Sequence, residues 1–258
     1  TNNPETKNLY NTFFLENETV FDFNSLESLA KTAVFYSSPS VHYDMYRHTQ
    51  SFNGICEILT DLHVQFDPIF IGDGITYPDS LTAEDLRDYE LIFLPNVYAL
   101  TDNQAERLIE FMNAGGSIIA LGDFAIVNEN KEPLNNAEML SVIGKENQPV
   151  GSGYFTQKQT DVFSADGVVE ENLRDIAAVY YQYYIEDNHP LVEQFFYLID
   201  EEPNVHISDV TAAGIREEIS GLVESAVTVR MVQDNLSENI AVQAYAHSNP
   251  EQIIVHLL

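Results

Sequence analysis

The chain has 258 residues, 45% of them hydrophobic, which is material for one large domain or a domain with a small appendage. It carries 41 Asp and Glu against 11 Lys and Arg, a formal net charge of -30. That balance lacks the clustered cations that phosphate backbones and anionic lipid require, and so excludes nucleic-acid binding. A single cysteine, Cys56, rules out an intramolecular disulfide and a cysteine-based zinc site, and the absence of Trp argues against a tryptophan sugar platform.

The acids run from Glu5 to Glu251 among ordinary amphipathic segments, which predicts a folded body with an acidic skin rather than a disordered acidic arm. Scarce lysine beside abundant Asp and Glu points to adaptation to high salt, where counter-ions screen the self-repulsion. No apolar run approaches the length of a membrane span, and "TNNPETKNLY" has neither the basic nor the apolar region of a signal peptide. The compartment stays open between cytoplasmic and secreted. Asn17 and Asn235 begin glycosylation sequons of a kind that an Asn-rich chain produces by chance.

Residues 1–31 are polar with interspersed aromatics (Tyr10, Phe13, Phe14, Phe21, Phe23) and no sustained period, as expected of a lead-in segment that packs on something else. Residues 32–204 are expected to form an α/β domain. "TAVFYSS" reads as a first strand, followed by a loop and then a helix whose stripe is Phe52, Ile55, Cys56, Leu59 and Leu62. "VQFDPIFIG" and "DYELIFLPN" are the second and third strands, with the turn "GDGITYPDS" after the second. Thr101 and Gln104 form a capping-box pattern ahead of the stripe Ala105, Leu108, Ile109 and Met112, and Gly115 and Gly116 end that helix. "SIIALG" is the fourth strand, and the alternation of strand and helix around apolar strands means a parallel sheet covered on both faces.

Beyond Glu129, "NAEMLSVIG" is a short helix, "PVGSGYFTQ" a loop or edge strand, and "LRDIAAVYYQYYI" and "PLVEQFFYLID" are helical candidates. Residues 205–258 are expected to be β-rich, with strands in "VHISD", "SAVTVRMVQD", "NIAVQAYAHS" and "QIIVHLL" and turns at Asp234-Asn235 and Asn249-Pro250. The chain stops inside an apolar strand at Leu258, which suggests a larger parent protein.

Two places hold candidate chemistry. The first is the corner after "SIIALG", where α/β enzymes often carry a nucleophile on a tight turn; here it offers Asp123 and no thiol, since Cys56 lies on another helix. Asp123 can serve as an acid or a ligand, although an Asp after a strand is commonly a turn or cap residue. The second is the loop "SVHYDMYRHTQ", where His42, Asp44 and His48 could hold a metal at the ligand end of an open sheet. Their spacing matches no established zinc motif and Arg47 would repel a cation, so a polar loop or interface is the simpler reading. His63, His189, His206, His247 and His256 are scattered singly. The pairs Glu170-Glu171, Glu201-Glu202 and Glu217-Glu218 point about 100 degrees apart if helical, which suits solvated surface better than a glycosidase carboxylate pair. There is no G-x-S-x-G, Walker loop or dinucleotide fingerprint.

The order "AVFYSSPS", helix, "VQFDPIFI", "DYELIFLPNVYALTDNQAERLIEFMNAGGSIIALGDFAIVNENKEP", "EMLSVIG" resembles the β-galactosidase trimerisation domain, the second domain of family 42 glycoside hydrolases, over most of residues 32–145, and "IIVHLL" resembles a strand of the β-rich region in those proteins. The resemblance implies a flavodoxin-like, class I glutamine-amidotransferase-like α/β fold without the catalytic thiol. It also implies a role in subunit contacts, as a trimer, while the sugar chemistry belongs to two glutamates on a preceding barrel. No such barrel lies in this sequence, so no catalytic, cofactor-binding or metal-ligating residue is carried over. The expected function is a non-catalytic domain of a β-galactosidase-type protein serving oligomerisation or carbohydrate contact. The alternatives are a stand-alone hydrolase using Asp123 or His42, Asp44 and His48, and an extracellular structural or surface protein.

Overall fold

The structure, a computed structural model, describes residues 26–158, 175–188, 209–228, 242–247 and 253–257, together with residues 4, 7–9, 11 and 12. Four named segments fall outside it: the aromatics of the lead-in from Tyr10 to Phe23, the sequons, the helical candidate 190–200, and the turns at Asp234-Asn235 and Asn249-Pro250. So do all but Asp209 of the strand expected in "VHISD" and all but residues 225–228 of the one expected in "SAVTVRMVQD".

Six strands form the main sheet: β2 (Thr32–Ser37), β3 (Phe66–Ile71), β4 (Leu91–Pro95), β5 (Ser117–Leu121), β6 (Gln148–Val150) and β7 (Gly153–Lys158). Their order is β3-β2-β4-β5-β7-β6, parallel throughout except for the antiparallel edge pair β6-β7. This is the α/β parallel sheet expected from the apolar strands. The segment "PVGSGYFTQ" becomes a hairpin in which β7 pairs on both sides, so only β6 lies at the edge.

The twofold alternation of strand side chains divides the core between two faces. Ala33, Phe35, Ile92, Leu94, Ile118 and Ala120 meet Leu108 and Met112 of α3 (Asp102–Asn113) on one side. On the other side Val34, Leu91, Phe93, Ile119 and Leu121 meet Ile55, Ile58 and Leu59 of α1 (Ser38–Asp61). They also meet Ile176, Val179 and Tyr180 of α5 (Ile176–Asn188), and Ala212, Ile215, Ile219 and Val223 of α6 (Asp209–Ala226). Every residue of β4 and β5 is buried, as strands covered on both faces must be. Two short helices, α2 (Ala83–Leu86) and α4 (Ala137–Leu140), complete the connections.

Local signals set the ends. In α3 the Thr101 hydroxyl accepts from the Gln104 amide at 3.1 Å and the Gln104 side chain accepts from the Thr101 amide at 3.1 Å, the reciprocal pair expected from the sequence. Helices α1 and α5 cross so closely at Gly54 that a Cβ there would lie 1.7 Å from the Ala177 carbonyl oxygen, so only glycine fits.

Between the strands expected in "VHISD" and "SAVTVRMVQD", a stretch given no element of its own within the region expected to be β-rich forms the 18-residue helix α6, whose buried stripe packs into the sheet's own core. The C-terminal strands β8 (Val242–His247) and β9 (Ile253–Leu257) do form, and they join β1 (Leu26–Ser28) from the lead-in as an antiparallel sheet of order β1-β8-β9. Gln65 ties that sheet to the main one, its amide donating to Ala244 O at 2.8 Å and its carbonyl accepting from Ala244 N at 2.8 Å.

Candidate functional site

The chain leaves β2 toward β3 on one side and β4 on the other, so the strand order reverses between the C-terminal ends of β2 and β4, where open α/β sheets place their ligands. Here the chain fills that crevice itself. Ser37, the last residue of β2, caps α1, its hydroxyl accepting from Ser40 N at 3.2 Å. The Ser40 hydroxyl accepts from Ala99 N at 3.1 Å and donates to Ala99 O at 3.3 Å, closing the loop after β4 over the helix end.

His48 braces the same junction from below. Its Nε2 accepts from Ser37 N at 2.8 Å and its Nδ1 lies 2.9 Å from Pro95 O, so Nδ1 carries the proton and the ring joins the ends of β2 and β4. Burial pushes the imidazole down to about 4, against the two backbone contacts at Pro95 and Asn96, and it stays neutral.

The loop expected to carry His42, Asp44 and His48 is instead the first part of α1, and this corrects the sequence reading. The cue was "SSPS": a serine cap with proline in the first turn starts a helix there. Separate partners hold the three side chains apart. His42 Nδ1 pairs with Asp73 Oδ2 at 3.0 Å, and His48 is committed on both nitrogens. Asp44 sits at a non-helical kink (φ -149, ψ 86), where its Oδ1 accepts from Arg47 N at 3.2 Å and recaps the helix. Among the described residues no group of three or more His, Cys, Asp and Glu is placed to hold a metal ion.

The corner after β5 begins at Gly122, which takes the left-handed φ of +70. Its amide donates to Lys158 O at 2.9 Å and its carbonyl accepts from Gln157 Nε2 at 2.8 Å. A Cβ on Gly122 would stand 2.9 Å from Asp175 Cβ, 3.1 Å from Asp175 Oδ2 and 3.4 Å from Asn96 Oδ1. The first residue of the corner therefore has no side chain, and the space one would fill is taken by Asp175 and Asn96. Next to it, Asp123 donates its amide to Asn96 Oδ1 at 3.2 Å, and its carboxylate lies 3.7 Å from Arg47 Nη1 with the side chain 16% exposed. Above these, Tyr43 and Tyr98 stack at 4.3 Å and Lys131 lies 5.7 Å over the Tyr43 ring.

Asp175 is the site residue that the sequence reading missed. It precedes α5, and its Oδ1 accepts from Ala178 N at 2.7 Å and from Ser51 Oγ at 3.0 Å. Burial pushes its carboxyl up to about 6, opposed by the Ala178 and Ala177 amides and the Ser51 hydroxyl and assisted by Asp123. An Asp three residues before Ala178 is a cap signal legible in "RDIAA", but its place against Gly122 is set only by the docking of α5.

Cys56, on the α1 stripe as expected, packs against the core, and burial followed by the Glu57 charge pushes its thiol up to about 12. A cleft of about 320 Å³ opens at the opposite end of the sheet, lined in part by Leu86, Arg87, Tyr89, Arg107 and Phe111. Its arginines pair with Glu84, Asp88, Glu106 and Glu110.

No family model matches the chain. β-Galactosidase BgaA of Clostridium cellulovorans is 30% identical over 82 residues, covering 30% of this chain and 12% of that protein. The chain resembles part of a β-galactosidase. Among solved structures, the family 42 β-galactosidase Gan42B of G. stearothermophilus aligns over 84% of this chain and 33% of its own, at 13% identity and a TM-score of 0.48. The polyextremophilic β-galactosidase of the Antarctic haloarchaeon Halorubrum lacusprofundi aligns over 89% of this chain and 36% of its own, at 13% identity and a TM-score of 0.45. The chain thus spans 12% of the curated relative and about a third of these solved chains. The mostly parallel α/β sheet is the one expected from the sequence. Among the described residues no helix is long and apolar enough to cross a membrane.

Proposed function

We propose that the chain is a non-catalytic, amidotransferase-like domain of a β-galactosidase-type protein that works through its surfaces. Its role is subunit assembly, as a trimer by family resemblance, or carbohydrate contact. The observation that carries this reading is the corner after β5: Gly122 has no side chain, Asp175 and Asn96 occupy the space one would fill, and the carboxylate of the neighbouring Asp123 faces Arg47. The crevice between β2 and β4, closed by Ser40 and Ala99, supports the same reading.

Exposed apolar side chains give the surface something to work with. Phe70 is 52% exposed and Tyr77 49% exposed, their rings packed edge-on at 5.2 Å. Half-exposed apolar rings packed side by side in this way favour association. Sedimentation equilibrium of the purified chain tests the assembly role: concentration-dependent self-association is expected, and a strictly monomeric chain at all concentrations removes it. Hydrolysis of a nitrophenyl galactoside that disappears in Asp123→Asn would replace this reading with that of a stand-alone hydrolase.

The net charge of -30 supports a second part of the proposal, that the surface is adapted to high salt. Stability against urea is expected to rise steadily with sodium chloride. A flat or falling series would remove that part and leave the rest intact.

A further inference from the structure

The cleft of about 320 Å³ lies between α2 and α3, where β4 and β5 begin, away from the filled crevice at the other end of the sheet. That size stands at the low end of small-molecule pockets, which run to roughly 1,000 Å³. Part of its lining is apolar. A Cβ on Gly116 would stand 2.2 Å from the Phe111 ring, so the glycine pair that ends α3 lets the ring rest directly on the chain. Leu86 and Tyr89 add to this part, the Tyr89 hydroxyl donating to Asp67 Oδ2 at 2.9 Å and fixing the ring.

The charged part of the lining balances, with Arg87 and Arg107 against Glu90 and Glu110. Arg107 pairs with Glu110 and, at 3.0 Å, with Glu106, while Arg87 at the rim pairs with Glu84 and, at 3.4 Å, with Asp88. Glu90 Oε2 accepts from Thr228 N at 2.6 Å. An anion would find both guanidinium groups already neutralised by acids, and a cation would be repelled by the same two groups. The side chain of Arg107 is 23% exposed, yet its Nε is buried with no hydrogen-bond partner among the described residues. A buried donor left without an acceptor calls for an explanation, and a bound ligand is one.

We propose that this cleft is a binding site for a neutral sugar, with the apolar face of the ring against Phe111, Tyr89 and Leu86 and the hydroxyls bonded to Arg107, Glu110 and Glu90. A hydroxyl both donates and accepts, so neighbouring hydroxyls on a ring match a guanidinium and a carboxylate held side by side. The aromatic and aliphatic surface takes the C–H face that a sugar presents beside its hydroxyls. The site rests on the carbohydrate part of the function proposed above and gives it a location.

The test is an amide NMR titration of the purified chain with galactose and with glucose, to concentrations on the order of 0.1 M, enough to load a millimolar site. At least one of the two should shift the amides of Glu90, Gly115 and Gly116 and the Arg107 Nε–H along a saturating curve. Galacturonate and galactosamine, the charged forms of the same ring, should bind more weakly than galactose. Arg107→Leu keeps an apolar stem and should raise the half-saturating concentration at least about tenfold, the worth of one hydrogen bond to a charged group. The absence of saturable shifts at these amides, tighter binding of either charged form, or an unchanged half-saturation in Arg107→Leu overturns the proposal. Sugar-induced shifts confined to another face overturn the cleft and leave the carbohydrate reading standing, whereas no shifts anywhere remove both. Self-association, read by sedimentation, is unaffected by either result.

Discussion

Replacing Gly122 by alanine places a methyl group in the corner that decides the functional reading. Two costs follow from the geometry. The residue holds φ +70, where a side chain on an L-residue costs roughly 1–2 kcal/mol. The new Cβ lies 2.9 Å from Asp175 Cβ, a backbone-anchored atom that cannot swing away, and overpacking of this kind costs about 1–3 kcal/mol. Gly122→Ala should therefore lose about 2–5 kcal/mol in urea unfolding followed by circular dichroism. The two costs separate in a double-mutant cycle with Asp175→Gly, which removes the clash and leaves the backbone strain. The coupling should be about 1–3 kcal/mol, with the double variant less destabilised than the sum of the singles. A loss below about 0.5 kcal/mol, on the scale of an ordinary surface substitution, would mean that the corner has room for a side chain. The packed corner described above would then be wrong.

Other substitutions probe the same scaffold. Gly54→Ala puts a Cβ 1.7 Å from Ala177 O, so the α1–α5 crossing must open. Despite about 1 kcal/mol of helix propensity gained, the melting temperature should fall by several degrees, and an unchanged or higher value would contradict the crossing. His48→Phe leaves the Ser37 amide and Pro95 carbonyl without their partner, at about 1–3 kcal/mol each near pH 7. Because burial holds His48 at about 4, below its ordinary 6.5, its neutral form stabilises the fold above about pH 6.5, and that contribution is lost as pH falls toward 4. His48→Phe should flatten this acid limb, and a limb unchanged in the variant would contradict the brace. Cys56, with its thiol raised to about 12, should resist alkylation by iodoacetamide at pH 8 in the folded chain and react on unfolding. Fast native labelling would place the thiol outside the core.

How much of this was legible follows from the range of the interactions. Thr101 and Gln104 lie three residues apart, so their capping box could be read directly, as could the apolar runs of β4 and β5. The helix begun by Ser37 was equally local but was masked by the polar run that follows, since His42, Asp44 and Arg47 suggested a loop and the kink at Asp44 broke the period. In α6 the stripe Ala212, Ile215, Ile219 and Val223 is helical, but Gly214, Gly221 and several β-branched residues weaken the helical signal, and the stretch was given no element within a region expected to be β-rich. The missing thiol at the corner after β5 was plain from one cysteine on another helix. What fills the corner was not, because Asp175 reaches Gly122 only through the packing of α5 on α1 and the sheet.

The most direct test is a crystal structure at high resolution of the corner formed by Gly122, Asp123, Asn96 and Asp175, grown with galactose and zinc present. The account predicts Gly122 in the left-handed region with the Asp175 carboxyl packed against it and neither ligand in the corner. An open cleft there, with sugar or metal bound to Asp123, would contradict it.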